Sequence, residues 1–199
     1  MAGRIIILLR HCQTELSEGK RLIGQYDVKL SSEGIARAAK IGKSLQEYKS
    51  YSIICSSLKR SKETAEIISS YLNTQVEPLN GFNEINLGNW DGKYIEEIKK
   101  EEPRAFEERG KDIIYYRIPG GENFIDLSIR VKKTFNDILQ SHHNMIIVGH
   151  KSVNRIILAD ILRIPLEYIM ALPQDYGCIN RIEQSGIQLH VKYINRYFL

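Results

Sequence analysis

A three-layer α/β/α sandwich around a mostly parallel central sheet is the fold the sequence predicts, and three observations predict it. Short β-branched runs alternate with helix-length amphipathic segments, the pattern of repeated βαβ units. The two strongest strand candidates, Ile5 to Leu9 and Met145 to Val148, are apolar from end to end. Each delivers a histidine just past its carboxyl end, as Arg10-His11 and Gly149-His150, and ligands of open α/β sheets collect in the crevice beyond the strand carboxyl ends.

The elements follow in order. After the first strand and a polar loop, Ser31 or Ser32 caps a helix carrying Ile35, Ala38, Ala39, Gly42 and Leu45 on one face. A second strand covers about Tyr51 to Cys55, and Ser56 and Ser57 lead into a helix through about Leu72, with Ala65, Ile68 and Leu72 at helical spacing. A short strand lies near Gln75 to Pro78. From Asn80 to Gly121 the pattern weakens, because Gly81, Gly88, Gly92, Pro103, Gly110, Pro119 and Gly120 punctuate short charged helices around Tyr94 to Lys100 and Arg104 to Arg109. This stretch reads as a central loop and helix insertion acting as a lid. Its Tyr94, Tyr115, Tyr116 and Arg117 either contact the organic part of a substrate or form the insertion's own core. Regular structure resumes with a helix from about Asn123 to Ser141 and the Met145 to Val148 strand. A helix from Ser152 to about Leu162 follows, then a short one after Pro165. A final hairpin runs from Cys178 to Tyr193 around Gln184 to Gly186.

Composition narrows the function classes. A chain of 199 residues, 43% hydrophobic and 26% charged, buries a substantial core and fits one domain. The net charge of +4, from 28 basic and 24 acidic residues, is scattered, so neither a nucleic-acid arm nor a polybasic lipid anchor is expected. Apolar stretches of strand length, and no basic-then-apolar amino terminus, lead to the expectation of a cytoplasmic protein without a membrane partner. Three widely spaced cysteines, Cys12, Cys55 and Cys178, form no Cys-x-x-Cys pair, which argues against a disulfide framework or a zinc cluster and fits a reducing compartment. No metal and no cofactor is expected.

What remains is an anion site. Arg10 follows the first strand, Arg60 lies in the opening turns of the helix after the second, and His11 and His150 end two strands. Arginine offers a planar donor fork for phosphate or carboxylate. The helix start near Ser57 to Arg60 adds backbone N–H groups and the positive end of a dipole.

The ordered set resembles a known family. Leu9-Arg10-His11-Cys12-Gln13-Thr14-Glu15 resembles the Arg-His-Gly-x-Thr signature of the histidine phosphatase superfamily, the phosphoglycerate mutase-like family. Ser56 through Ala65 resembles its second arginine motif, Phe82-Asn83-Glu84 through Gly92 its acid-bearing loop, and Val148-Gly149-His150 its second histidine. Gly24-Gln25-Tyr26-Asp27 and Gly120-Gly121-Glu122 fit as well, and the likeness runs from Arg4 to about Glu183. It implies that residues 1–199 form a single histidine phosphatase domain whose insertion, about 80–121, makes part of the substrate pocket.

The resemblance also implies roles. His11 would attack phosphorus in line and become a phosphohistidine that water later hydrolyses. Arg10, Arg60 and His150 would clamp the phosphoryl oxygens in place of a metal. Glu84 would protonate the leaving alkoxide and then take a proton from water. Gln13, Thr14 and Ser17 are either loop-forming residues or oxyanion contacts, and Gly24 is either a turn glycine or a backbone donor to phosphate. Ser17 stands where many relatives carry Asn. Glu122 reads as a helix-start carboxylate. Two departures stand out. Cys12 replaces the usual glycine after the nucleophile, so either the backbone there has negative φ or the site tolerates a small side chain; a buried, inert thiol is expected. Lys151 follows His150 where relatives carry a small residue, and it is expected to face solvent.

The expected activity is therefore metal-independent hydrolysis of a small phosphorylated metabolite. A cofactor-dependent phosphoglycerate mutase and a non-catalytic phosphate-binding sensor are the alternatives. Ile23 to Asp27 and Gln174 to Asn180 look most like the α-ribazole phosphatases of the family, which makes α-ribazole phosphate the named candidate. Oligomeric state has no signature in the chain.

Overall fold

The computed structural model describes residues 3–16, 20–140 and 144–197. Strand β1 (Arg4–Arg10) lies inside a six-stranded mixed sheet that also contains β2 (Ser52–Cys55), β3 (Val76–Pro78), β4 (Met145–Gly149), β5 (Ile179–Ser185) and β6 (Gln188–Arg196). The sheet order is β3-β2-β4-β1-β5-β6. The first four strands in this order run parallel, β5 pairs antiparallel with β1, and β6 pairs antiparallel with β5.

Helices cover both faces, as apolar strands without polar alternation require. Helix α1 (Ser32–Ser44) and helix α2 (Lys59–Leu72) pack on Ile7, Leu9, Ile53, Ile146 and Val148. Ser31 caps α1 by accepting the Gly34 N–H. The buried face of α1 is Gly34, Ala38, Ile41 and Gly42, so Ile35 is 50% exposed, contrary to the predicted face. Ile41 takes its place because Gly42 sits against the Tyr71 ring of α2 and fixes the rotation of the helix.

The opposite face carries α5 (Phe124–Ile138) and α6 (Lys151–Leu162), packed with Ile6, Leu8 and Ile147. Between β3 and α5, the insertion contains α3 (Ile95–Glu101), α4 (Pro103–Lys111) and two short 3₁₀ turns. It is anchored in the core: Phe82, Ile85, Leu87, Trp90, Ile98, Ile114 and Ile118 belong to the same buried cluster as Ile6 and Leu8. Gly88, at φ +52°, lets the chain pass against the Pro119 to Gly121 turn, where a Cβ would meet the Pro119 carbonyl at 2.2 Å. Among the described residues no helix is long and apolar enough to cross a membrane.

Trp90 is fully buried and donates its indole N–H to Glu102 Oε1 at 2.8 Å. Trp90→Ala is expected to cost about 3–5 kcal/mol in urea denaturation. Because the insertion shares the core of the sheet, the loss should appear as one shifted transition; a separate early transition would count against that shared core.

Candidate active site

Parallel pairing of β1 with β4 sets Arg10 opposite Gly149, and the His11 N–H donates to the Gly149 carbonyl at 3.0 Å. The residues that follow are therefore neighbours: the His11 and His150 rings lie 5.0 Å apart, centre to centre. His11 Nδ1 is 2.8 Å from the Cys12 carbonyl. A carbonyl only accepts, so Nδ1 carries the proton and Nε2 holds the lone pair. Burial, followed by the charges of Arg60 and Arg10, lowers the His11 pKa well below the usual imidazole range, with the Cys12 carbonyl opposing. The His150 pKa is lowered in the same direction, by burial first and then by Arg60, His11, Arg10 and Arg130. Both His150 ring nitrogens are buried without a protein hydrogen-bond partner.

Two guanidinium groups face His11, each steered by backbone carbonyls. Arg10 donates from Nη1 to the Gln174 carbonyl at 2.7 Å and lies 3.8 Å from the Tyr176 ring centre. The Arg10 Nε is buried and unpartnered. Arg60, 2% exposed, donates to the Gly24 carbonyl at 2.6 Å and the Tyr26 carbonyl at 3.1 Å. Glu84 is buried opposite them. Its Oε1 accepts the Ile85 N–H at 2.9 Å, and its Oε2 accepts the Ser152 N–H at 3.2 Å, which places the carboxylate at the amino end of α6. Arg130 holds this loop from behind through the Gly81 and Asn83 carbonyls and a 2.7 Å ion pair with Glu122. Glu122 also accepts the Asn86 N–H, so its work is to pin the acid-bearing loop.

Arg10, His11, Thr14, Ile23, Arg60, Glu84 and Tyr176 line an inner pocket of about 40 Å³. His150 does not line it, but is wholly buried with its ring centre 5.0 Å from that of His11. Arg10, Ile23, Glu84 and Tyr176 are shared with an outer chamber of about 400 Å³, whose walls add Arg21, Arg109, Lys151, Arg155 and apolar side chains including Leu22, Ile113 and Met170. A larger open groove, about 510 Å³, is lined by Glu15, Lys29, Ile35 and Glu66 among others and contains none of the histidines or arginines of the site.

Several expectations change. The Gly24 N–H does not face a ligand, because Asp91 accepts it at 2.8 Å together with those of Gln25 and Tyr26. The start of α2 is equally occupied: Asn83 accepts the Ser57 N–H, Ser56 the Leu58 N–H and Asp27 the Lys59 N–H. Gln13 lines neither the inner pocket nor the outer chamber, and its carbonyl accepts the Ser31 N–H. Ser17 lies outside the described residues. Tyr94, Tyr115, Tyr116 and Arg117 do not line the chamber. Arg21 stacks on Tyr94, Tyr115 donates to Glu167, Tyr116 stacks on Trp90 and Arg117 pairs with Asp126. Lys151 is exposed, as expected, yet also borders the chamber.

Thr14, for which the sequence allows a loop role or an oxyanion contact, lines the inner pocket with Oγ1 buried and unpartnered. Sequence reasoning missed Arg109, Arg155 and Tyr176 as wall residues. A signal existed for Arg155, which follows His150 by little more than one helical turn; for Arg109 the irregular insertion gave none.

An α/β sheet that ends in two neutral histidines beside the Arg10 and Arg60 guanidinium groups is chemically suited to a phosphoryl group. The model of the histidine phosphatase superfamily (branch 1) matches residues 6–196. The chain belongs to that superfamily. It is 31% identical over 194 residues to a 6-phosphofructo-2-kinase/fructose-2,6-bisphosphatase of Arabidopsis thaliana, covering 94% of this chain and 25% of that protein. Thus the chain spans about a quarter of that relative's length. Among solved structures it is similar to Bacillus stearothermophilus YhfR, with a TM-score of 0.91 at 28% identity over 98% of both chains. It also shares its fold with a putative alpha-ribazole-5'-P phosphatase from Escherichia coli, with a TM-score of 0.92 at 22% identity over 98% of this chain and 97% of that one.

The two imidazoles make stability depend on pH. In the folded protein both take up protons only well below pH 6.5, whereas in the unfolded chain they titrate near that value. The unfolded state thus gains protons first on acidification, so their contribution to stability is complete above pH 6.5 and is lost as the pH falls toward their folded pKa values. Melting temperatures measured from about pH 8 to about pH 5 should fall on acidification, and less steeply in a His11→Gln, His150→Gln double variant.

Proposed function

We propose that the protein hydrolyses a small phosphate monoester through a phosphohistidine on His11, without a metal. The observation that carries this reading is the inner pocket itself. A histidine whose lone pair is fixed on Nε2 shares it with Arg10 and Arg60, while Arg10 Nε and Thr14 Oγ1 have no protein partner there. Unpaired buried polar groups are costly, and phosphoryl oxygens would relieve that cost. His150, with two unpartnered nitrogens and its ring centre 5.0 Å from that of His11, would donate to the same group.

In the first step His11 Nε2 forms a bond to phosphorus as the ester P–O bond breaks, and Glu84 gives its proton to the departing alkoxide. In the second, Glu84 takes a proton from water as the new P–O bond forms and the P–N bond breaks, returning the lone pair to His11. Arg10 and Arg60 balance the charge on the transferring group. Residues 1–199 act in this reading as one catalytic domain, with the insertion supplying part of the pocket wall. His11→Ala should abolish both p-nitrophenyl phosphate turnover in the presence of chelator and the acid-labile, base-stable phosphoprotein. A label that persists in this variant would overturn the mechanism.

The outer chamber bears on the substrate. Arg10, Arg21, Arg109, Lys151 and Arg155 face it against a single carboxylate, Glu84. Arg155 is aimed by the Leu172 and Met170 carbonyls, and Arg109 has no ion-pair partner among the described residues. This surplus favours an ester whose organic part carries a second phosphate or carboxylate over α-ribazole phosphate, whose organic part has none. The name of the Arabidopsis relative includes such a substrate, fructose 2,6-bisphosphate. Arg109→Ala and Arg155→Ala should raise KM for doubly anionic esters by about 10- to 100-fold, and by much less for p-nitrophenyl phosphate. A metabolite panel including α-ribazole phosphate, sugar bisphosphates and phosphoglycerates reads this out.

A further inference from the structure

We propose that Gln174 is a positioning residue for Arg10, acting through a buried knot of three amides and without touching substrate. The inference rests on Arg10 being a phosphoryl ligand, as read above.

Gln174, Asn154 and Asn180 are all essentially inaccessible to solvent. Gln174 Oε1 accepts from Asn154 Nδ2 and Asn180 Nδ2, each at 3.0 Å. Its Nε2 donates to Asn180 Oδ1 at 2.8 Å and to the Pro173 carbonyl at 2.7 Å. Both amide donors and both acceptor lone pairs of Gln174 are therefore used, which leaves the side chain one orientation.

The knot is moored to the elements that carry the chemistry. Asn180 donates to the carbonyl of Leu8, its register partner on β1 and two residues before Arg10. Asn154 lies in the first turn of α6, and its N–H donates to the His150 carbonyl. From this anchor the turn from Pro173 to Cys178 returns to Arg10 at four points. The Gln174 carbonyl accepts Nη1 at 2.7 Å, and the Tyr176 ring lies against the guanidinium. The Cys178 carbonyl accepts the Arg10 N–H, and the Gly177 N–H donates to the Arg10 and His11 carbonyls. The Gln174 carbonyl and the Tyr176 ring, which hold the Arg10 side chain, thus belong to a turn whose inner face is the amide knot.

Three buried amides are an expensive filling for a core that aliphatic side chains could pack; Asn154 Oδ1 has no protein partner, but the central Gln174 amide is fully satisfied, and such a group specifies one arrangement where an apolar side chain tolerates several. The arrangement specified here is the direction of the Arg10 fork. With Gln174 replaced by an apolar residue of similar volume, the turn keeps its place in the fold and loses its fixed orientation. Arg10 then meets the transferring phosphoryl group less well, and kcat falls more than KM rises, because charge on those oxygens peaks in the transition state.

The test is a double-mutant cycle between Gln174→Met and Arg10→Ala, read as single-turnover phosphoprotein formation and kcat/KM on p-nitrophenyl phosphate, below each variant's melting temperature. Gln174→Met should lower kcat/KM by about tenfold or more in the otherwise unaltered protein and have no further effect once Arg10 is alanine. Equal losses in both backgrounds would overturn the proposal and leave Gln174 a purely structural residue. If Gln174→Met does not fold, Asn154→Ala removes one donor to the Gln174 side chain and enters the same cycle with the same expectation. Should Arg10→Ala by itself leave phosphoprotein formation intact, the reading of Arg10 as a phosphoryl ligand fails first. That outcome is distinct from an additive cycle, in which Arg10 matters and Gln174 does not act through it.

Discussion

The parallel register of β1 and β4 is the constraint on which the site depends. It places Arg10 opposite Gly149, so the next residue of each chain segment is a histidine at the same edge of the sheet. A slip of one residue would turn every side chain of either strand to the other face and separate the pair. The register is held because β1 is central, bonded to β4 on one side and β5 on the other, with helices covering both faces. Gly149 has its own part, since a Cβ there would meet Asn154 Oδ1 at 2.6 Å and push away the first turn of α6. Groups mounted on such strand ends keep their mutual geometry without reorganisation, which phosphoryl transfer by positioning demands.

Charge is distributed by a consistent device. Arginines with structural duties pair with carboxylates, as Arg130 does with Glu122 and Arg117 with Asp126. Those facing the pocket and chamber are aimed by carbonyls: Arg60 by Gly24 and Tyr26, Arg10 by Gln174, Arg155 by Leu172 and Met170. A carbonyl orients a guanidinium without neutralising it, so the full positive charge remains for a dianion. Asp91 completes the arrangement at Arg60. By accepting the N–H groups of residues 24–26, it fixes the loop whose Gly24 and Tyr26 carbonyls accept from Arg60. Burial first, and then the same positive field that would hold a phosphate, keep His11 and His150 neutral.

Features with local causes were legible in the sequence. Apolar runs gave the strands, the Ser31-Ser32 pair gave the start of α1, and the residues just beyond the two strongest strands gave His11 and His150. Features decided by distant partners were not. Ile35 looks as apolar as Ile41, and only packing against α2 distinguishes them. Nothing near Gly24 announces that Asp91, 67 residues later, takes its N–H. The start of α2 has the sequence of an anion site, yet Asp27, Ser56 and Asn83 already occupy it. The amino end of α6 is served by Glu84, from a loop whose glycines and prolines obscure its periodicity.

Cys12 shows how a departure from a motif is absorbed. The sequence left open whether the position needs the conformational freedom of glycine, and the backbone there does not take positive φ. Its carbonyl fixes the His11 tautomer and its N–H donates to Thr64 Oγ1, which in turn donates to the Arg60 carbonyl, so the main chain links His11 to the helix that carries Arg60. The side chain turns the other way, into the cluster beneath α1 and α2 with Leu30 and Ala38. Burial there pushes the thiol pKa up to about 12. A thiol with that pKa is protonated at neutral pH and a poor nucleophile. The requirement at this position is for a main-chain path and a small apolar side chain, and cysteine satisfies both.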